Sequence, residues 1–131
     1  MEKTEQLILI AEDDAVLRMI IVRQLSQLGY IGHTAENGAE ALVMAAKIPY
    51  SLIFMDIQMP KMDGITATKE IRKIEASGKR IPIVALTATT DKLTCERAGM
   101  DDFLSKPITM EQLRLVINKW MQPATSGQRP S

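Results

Sequence analysis

Glu12, Asp13 and Asp14 follow the apolar run Leu7–Ala11, and Asp56 ends the run Leu52-Ile53-Phe54-Met55. Carboxylates gathered in one place repel, and one tends to keep its proton unless a cation intervenes. A hard divalent cation with oxygen ligands resolves that conflict. A metal-bound acidic pocket with a free carboxylate is a place to accept a phosphoryl group. Two more groups suit such a pocket. Thr87 follows Ile83-Val84-Ala85-Leu86, and its hydroxyl can donate to a phosphoryl oxygen. Lys106 precedes Pro107, whose ring stiffens the loop and helps to aim one fixed cation.

Each residue also has an ordinary reading. An acid after a strand often caps the next helix, and Asp14 stands directly before Ala15–Leu28. One cap explains one acid, not three in a row. Glu12 and Asp13 are therefore read as metal ligands and Asp14 as the cap. An acid flush against an apolar run is partly desolvated and needs a partner, which separates Asp56 from a solvated strand-end acid. Thr87 alone could equally cap a helix, with Thr89, Thr90 and Asp91 as competitors, and Lys106 alone could be a surface charge. Both readings stay open for these two. Cys95 is the only cysteine, so no intrachain disulfide forms. It is read as a helix residue of no special reactivity.

Strand-like and helix-like patterns alternate along the chain. Leu7–Ala11 is a continuous apolar run, as expected for a strand covered on both faces. Leu17, Ile20, Ile21, Gln24, Leu25 and Leu28 recur at helical spacing up to the stop at Gly29. Tyr30–Thr34 is β-prone. Asn37 with Glu40 marks a helix start, and Ala41, Leu42, Ala45 and Ala46 give its apolar stripe. Ser51–Met55 leads to Asp56, with Pro60 and Gly64 in the loop beyond. Ile65–Ala76 carries Ala67, Ile71 and Ile74 on one face. Ile81–Leu86 is the next strand, with Pro82 near its start, where a missing donor matters less.

Asp91–Ala98 reads as a helix stopped by Gly99. Its stripe is thin, with Leu93 and Ala98 as its apolar members. A weakly apolar helix is held loosely and is free to move or to meet a partner. Phe103 and Leu104 lie in the last strand, 102–105. Thr109 with Gln112 makes a capping box for a helix over 110–120, striped by Leu113, Val116, Ile117 and Trp120. This order implies an α/β fold, doubly wound, with a five-stranded parallel sheet between helices. One domain is expected over 7–121. A polar extension, 1–6, precedes it, and a Pro/Gly/Ser-rich disordered tail or linker, 122–131, follows.

The formal net charge is zero, so the chain carries no electrostatic footprint for nucleic acid or an anionic membrane. Its apolar runs are too short to span a bilayer. No Gly-x-Gly-x-x-Gly or Walker pattern appears, which argues against a nucleotide or flavin domain.

The blocks ILIAEDD, IFMDIQMPKMDG, VALTA and DDFLSKP, in that order, closely resemble the receiver domain of two-component response regulators. The resemblance covers Leu7 to Met121. Glu rather than Asp at position 12, and the wording MPKMDG, are most like receivers of hybrid histidine kinases. The resemblance implies a flavodoxin-like (βα)5 fold with strand order 2-1-3-4-5. It implies that Asp56 is the phosphoacceptor. Asp13 would bind Mg²⁺ directly, Glu12 mainly through water, and Gln58 through its backbone carbonyl. Lys106 would pair with the phosphoryl group, Pro107 would follow a cis peptide, and Thr87 would be the switch hydroxyl. Phe103 would be the aromatic switch, often Tyr in the family and here without the hydroxyl.

The implied donor is a histidine kinase or histidine phosphotransfer protein. A downstream protein would meet the face formed by 91–98, 102–105 and 110–120. The domain would be no enzyme beyond catalysing its own phosphorylation and dephosphorylation. It would be cytoplasmic, alone or as the cytoplasmic part of a larger membrane-bound hybrid kinase. The rival class is a metal-dependent phosphohydrolase with an aspartyl-phosphate intermediate. Such enzymes resemble Asp-x-Asp-Gly-Thr after the first strand, whereas this chain reads Glu-Asp-Asp-Ala there and places Asp56 on the third.

Overall fold

The structure is a computed structural model that describes residues 6–75, 78–88 and 92–121. Strands and helices alternate as β1 (Leu7–Ala11), α1 (Ala15–Gln27), β2 (Ile31–Ala35), α2 (Gly38–Lys47) and β3 (Leu52–Asp56). They continue as α3 (Gly64–Ile74), β4 (Ile83–Thr87), α4 (Lys92–Ala98), β5 (Asp102–Ser105) and α5 (Met110–Trp120). All pairings are parallel, and the strand order is β2-β1-β3-β4-β5. The fold is the flavodoxin-like one expected. Because β2 lies outside β1, the chain changes its direction of growth between β1 and β3. Crevices for ligands open at such a switch point. The register pairs Ala11 with Met55, so Glu12 and Asp56 emerge side by side.

Alternation along the strands divides the core into two layers. Ile8, Ile10, Phe54 and Leu86 face α1 and α5, meeting Leu25 and Ile117. Leu9, Ile53, Met55 and Ala85 face the other way, toward Ala67 and Ile71 of α3 and Cys95 of α4. Central β3 and β4 are buried throughout, as a continuous apolar run predicts. Burying each large aliphatic side chain stabilises by roughly 1.5–3 kcal/mol.

Several boundaries differ from the sequence reading, for local reasons. α1 ends at Gln27, with Leu28 as its cap and Gly29 at φ +95°. β2 begins one residue later than expected, at Ile31. β3 includes Asp56, because the ladder continues with Ile57 N–H donating to Leu86 O at 3.2 Å. β4 starts after Pro82 and runs on to Thr87, whose carbonyl accepts from Lys106 N–H at 2.8 Å. α4 buries Cys95 and Ala98, one turn apart, and turns Leu93 outward. Leu93 precedes Cys95 by two residues, which places it on the opposite side of the helix. Ile20 and Ile74 likewise face solvent. The expected start of this helix at Asp91, the competing Thr89 and Thr90, the helix end at Ala76, and the terminal stretches 1–5 and 122–131 lie outside the described residues.

At the edge of the sheet where β4 begins, Arg72 of α3 joins three segments. Its guanidinium donates to Gly99 O at 2.8 and 2.9 Å, to Ile81 O at 2.8 Å, to Glu75 at 2.7 Å and to Asp101 at 2.8 Å. Glu75 and Asp101 in turn accept from Ile81 N–H and Ile83 N–H. Nothing in the local pattern announces this cluster, since its members come from three separate stretches of chain.

Candidate functional site

At the other edge, the residues after β1 and β3 form an acidic cleft of about 430 Å³. Glu12 is drawn in because its N–H extends the β1–β2 ladder to Ala35 O at 3.0 Å. It is 1% exposed, and Asp56 is 4% exposed. Oxygens of Glu12, Asp13 and Asp56 lie within 4.8 Å of one another. Asp14 turns away: its Oδ1 accepts from Val16 N–H at 3.0 Å and Leu17 N–H at 3.2 Å, capping α1. Gln58 N–H donates to Asp56 Oδ1 at 3.1 Å.

Lys106 reaches in from the loop after β5. Its Nζ lies 3.1 Å from Asp56 Oδ2 and 3.0 Å from Glu12 Oε1. The Asp56 contact is a hydrogen bond. The Glu12 contact is an ion pair, and among the described residues no hydrogen bond of good geometry reaches Oε1. Burial pushes the Glu12 carboxyl up to about 7, and the neighbouring Asp56 adds to that, against the opposing Asp14 N–H and Lys106. For Lys106, burial acts to lower the pKa, but Glu12 and Asp56 outweigh it and hold the ammonium above its usual range. The peptide between Lys106 and Pro107 is cis. A buried Glu12 carboxylate within reach of two more carboxylates is a donor set suited to a hard divalent cation.

The loop after Asp56 is folded back against the strand end. Gly64 N–H donates to Ile57 O at 2.8 Å. A Cβ at Gly64 would stand 2.1 Å from Asp56 O, so only glycine allows this approach. Lys61 adopts φ +67°, an uncommon conformation for a residue with a side chain. Asp63 then caps α3 by accepting from Thr66 N–H at 2.7 Å.

Thr87 is buried at the end of β4 and lines the cleft beside Asp56 and Lys106. Phe103 stands outside the cleft, half-buried on the sheet face that Ala85 shares. The Lys92 ammonium lies 5.3 Å from the centre of its ring. The cleft thus gathers Glu12, Asp13, Asp56, Gln58, Thr87 and Lys106, and leaves Phe103 one layer away.

Two residues passed over in the sequence belong to these surroundings. Arg18 donates to Glu12 O at 2.7 Å, and Lys92 covers Phe103. The available signal for Arg18 was its position four residues after the capping Asp14, on the same side of the helix. No such signal links Lys92 to Phe103 across the α4–β5 turn.

The chain matches the response regulator receiver domain family over residues 8–118. It is 42% identical over 120 residues to the hybrid signal transduction protein dokA of Dictyostelium discoideum, covering 92% of this chain and 7% of that protein. A solved receiver domain of a Pseudomonas aeruginosa sensor histidine kinase, with magnesium in its active site cleft, aligns with TM-score 0.81 and 38% identity. That alignment covers 89% of this chain and 98% of the other. A Saccharomyces cerevisiae receiver domain, Ssk1, solved with the histidine phosphotransfer protein Ypd1, aligns with TM-score 0.83 and 31% identity over 92% and 91% of the two chains. Family match, relatives and fold agree over nearly all the described residues, and the chain belongs to the response regulator receiver domain family.

Proposed function

We propose that Asp56 takes a phosphoryl group from a phosphohistidine on a histidine kinase or phosphotransfer protein. Mg²⁺ would be held by Asp13, Asp56 and the Gln58 carbonyl, and through water by Glu12. One observation carries this reading: a buried Asp56 carboxylate meets the Glu12 and Asp13 oxygens and the Lys106 ammonium at the carboxyl edge of the sheet. The solved relatives with magnesium and with a phosphotransfer protein support it.

Asp56, 3.1 Å from the Lys106 ammonium, is the nucleophile. Its oxygen forms a bond to phosphorus as the bond from phosphorus to the donor imidazole nitrogen breaks, in line. The imidazole leaves with its electron pair and takes up a proton from solvent. Lys106 stabilises the phosphoryl oxygens from the protein side. The Thr87 hydroxyl is near enough to the cleft to donate to one of them. Bound Mg²⁺ would offset the repulsion between Asp13, Asp56 and the incoming group. Water later cleaves the acyl phosphate. The domain is a regulatory one that catalyses only its own phosphorylation and dephosphorylation, in the cytoplasm, alone or within a larger hybrid kinase.

The donor approaches over α1. That helix starts at the rim of the cleft and exposes Val16, Met19 and Ile20, an apolar patch next to the nucleophile. The output face is the one formed by α4, β5 and α5, where Leu93 and Leu115 are exposed.

The test is incubation with a small phosphodonor and Mg²⁺, followed by mass spectrometry. One phosphoryl group is expected on Asp56, labile to hydroxylamine and absent in Asp56→Asn. Phosphate on a serine or threonine instead would overturn the assignment.

A further inference from the structure

We infer that Arg18 is a positioning residue: it fixes the peptide between Glu12 and Asp13 and so sets the cleft's affinity for a divalent cation. The inference rests on the phosphoacceptor reading above. Arg18 lies on α1, yet its side chain is only 17% exposed. Its Nη1 donates to Glu12 O at 2.7 Å, a short bond with a charged donor. Glu12 N–H is bound to Ala35 O, and Glu12 Oε2 accepts from Asp14 N–H at 3.0 Å. Arg18 therefore completes the hold on Glu12 at amide, side chain and carbonyl.

The consequence falls on Asp13. Its carboxylate is exposed, and among the described residues no hydrogen bond holds it. Its direction follows from its backbone and its own rotamer, with no side-chain hydrogen bond among the described residues to fix it. The Glu12 carbonyl belongs to the peptide that enters Asp13, and an uncompensated change in the torsions of that peptide would redirect the Asp13 side chain relative to Asp56. The outer contact of Arg18, to Glu36 Oε2 at 3.8 Å, is long, and Glu36 is 71% exposed. A pair of that kind contributes little, so the carbonyl bond is the main partner of the partly buried guanidinium.

A rival role makes the opposite prediction. As a cation near the cleft, Arg18 would repel a metal ion, and removing it would tighten binding. As a positioning residue, its removal loosens binding. Groups that orient metal ligands from outside the coordination shell typically change affinity by about tenfold or more.

The experiment is Mg²⁺ titration of the full chain followed by amide chemical shifts, in wild type, Arg18→Met, Arg18→Lys and Glu36→Ala. Methionine keeps much of the aliphatic stem and removes the donor; lysine restores one donor. Arg18→Met is expected to weaken Mg²⁺ about tenfold. It should also speed hydrogen exchange at the Glu12 and Asp14 amides in the metal-free protein, with the β4 amides unchanged. Arg18→Lys should recover most of both effects, and Glu36→Ala should change neither. Equal or tighter Mg²⁺ binding in Arg18→Met overturns the inference, as does lower stability against urea with unchanged affinity. Should Arg18→Met not fold, Arg18→Ala takes its place with the same outcomes. Failure of the wild type itself to bind Mg²⁺ and beryllofluoride at Asp56 would instead remove the phosphoacceptor reading, and this inference with it.

Discussion

Glu12 is the residue on which the electrostatics of the metal-free cleft turn. Its carboxyl is pushed from 4.5 up to about 7 in the folded protein. Between those values the folded chain holds a proton that the unfolded chain has released. Stability therefore falls as pH rises through that window and levels off above it, by at most on the order of 3 kcal/mol. Glu12→Gln should flatten this dependence, raise the metal-free melting temperature near pH 8 and abolish most of the stabilisation by Mg²⁺. Calorimetry at pH 5 and pH 8, with and without Mg²⁺, is the check. A wild-type protein more stable at pH 8 than at pH 5, by the same margin as Glu12→Gln, would contradict it.

Lys106 stands between two buried carboxylates, so Lys106→Ala should cost about 2 kcal/mol in metal-free urea unfolding, less than a fully buried pair because Lys106 is partly exposed. Lys79→Ala, at an exposed site, should stay within about 0.5 kcal/mol. The acids, Thr87 and Lys106 were legible because each sits where an apolar run stops. Arg18 was not, because its position four residues after Asp14 gives the side of the helix but not the carbonyl it meets.

Among the elements, α4 shows how a helix with little apolar surface is held. It buries only Cys95 and Ala98. What fastens its end is polar: Gly99 O accepts from Arg72, and the adjoining Asp101 pairs with both Arg72 and Arg80. Removing Arg72 leaves the partly buried Glu75 and Asp101 without their main counter-charge. Arg72→Ala should therefore cost about 3 kcal/mol, read by urea unfolding, and hydrogen exchange should speed up most over 95–101. A loss under about 0.5 kcal/mol would show that Arg80 suffices.

The other end of α4 is tied by Lys92 above the Phe103 ring. A contact of this kind at an exposed site is worth about 0.5–1 kcal/mol. Lys92→Ala should thus shift the position of Phe103 by a factor of about two to five, visible as altered ring proton shifts. The thin stripe of α4 was readable from sequence, and so was the capping box of α5. The direction of Leu93 was misjudged because seven residues are too few to define a face. The Arg72 cluster was beyond reach because its partners lie up to 29 residues away.

Across the whole molecule, the acidic cleft and the Arg72 cluster occupy opposite edges of one sheet, with β4 and α4 running between them. Strand order and topology were legible because every strand is a short apolar run followed by a helical pattern, and right-handed crossovers leave few alternatives. This arrangement also fixes where a signal from Asp56 can travel. Thr87 ends β4 at the cleft, and Phe103 lies beside Ala85 on β5. Arg72 pins α4 near Gly99, so displacement caused by a ligand on Asp56 should be largest at the Lys92 end and fade toward Arg97. Trp120 lies beside Gln6 and Pro82 at the far edge, its indole N–H bound to Asp102 at 2.8 Å. Amide shifts over 92–103, with and without beryllofluoride and Mg²⁺, are the measurement. A ligand produces such a change only by binding one arrangement better than the other. Thr87→Ala should still bind beryllofluoride at Asp56 but lose most of the shift beyond the cleft. Shifts confined to the loops around Asp13, Asp56 and Lys106 in the unaltered protein would mean that the α4–β5–α5 face does not receive the signal.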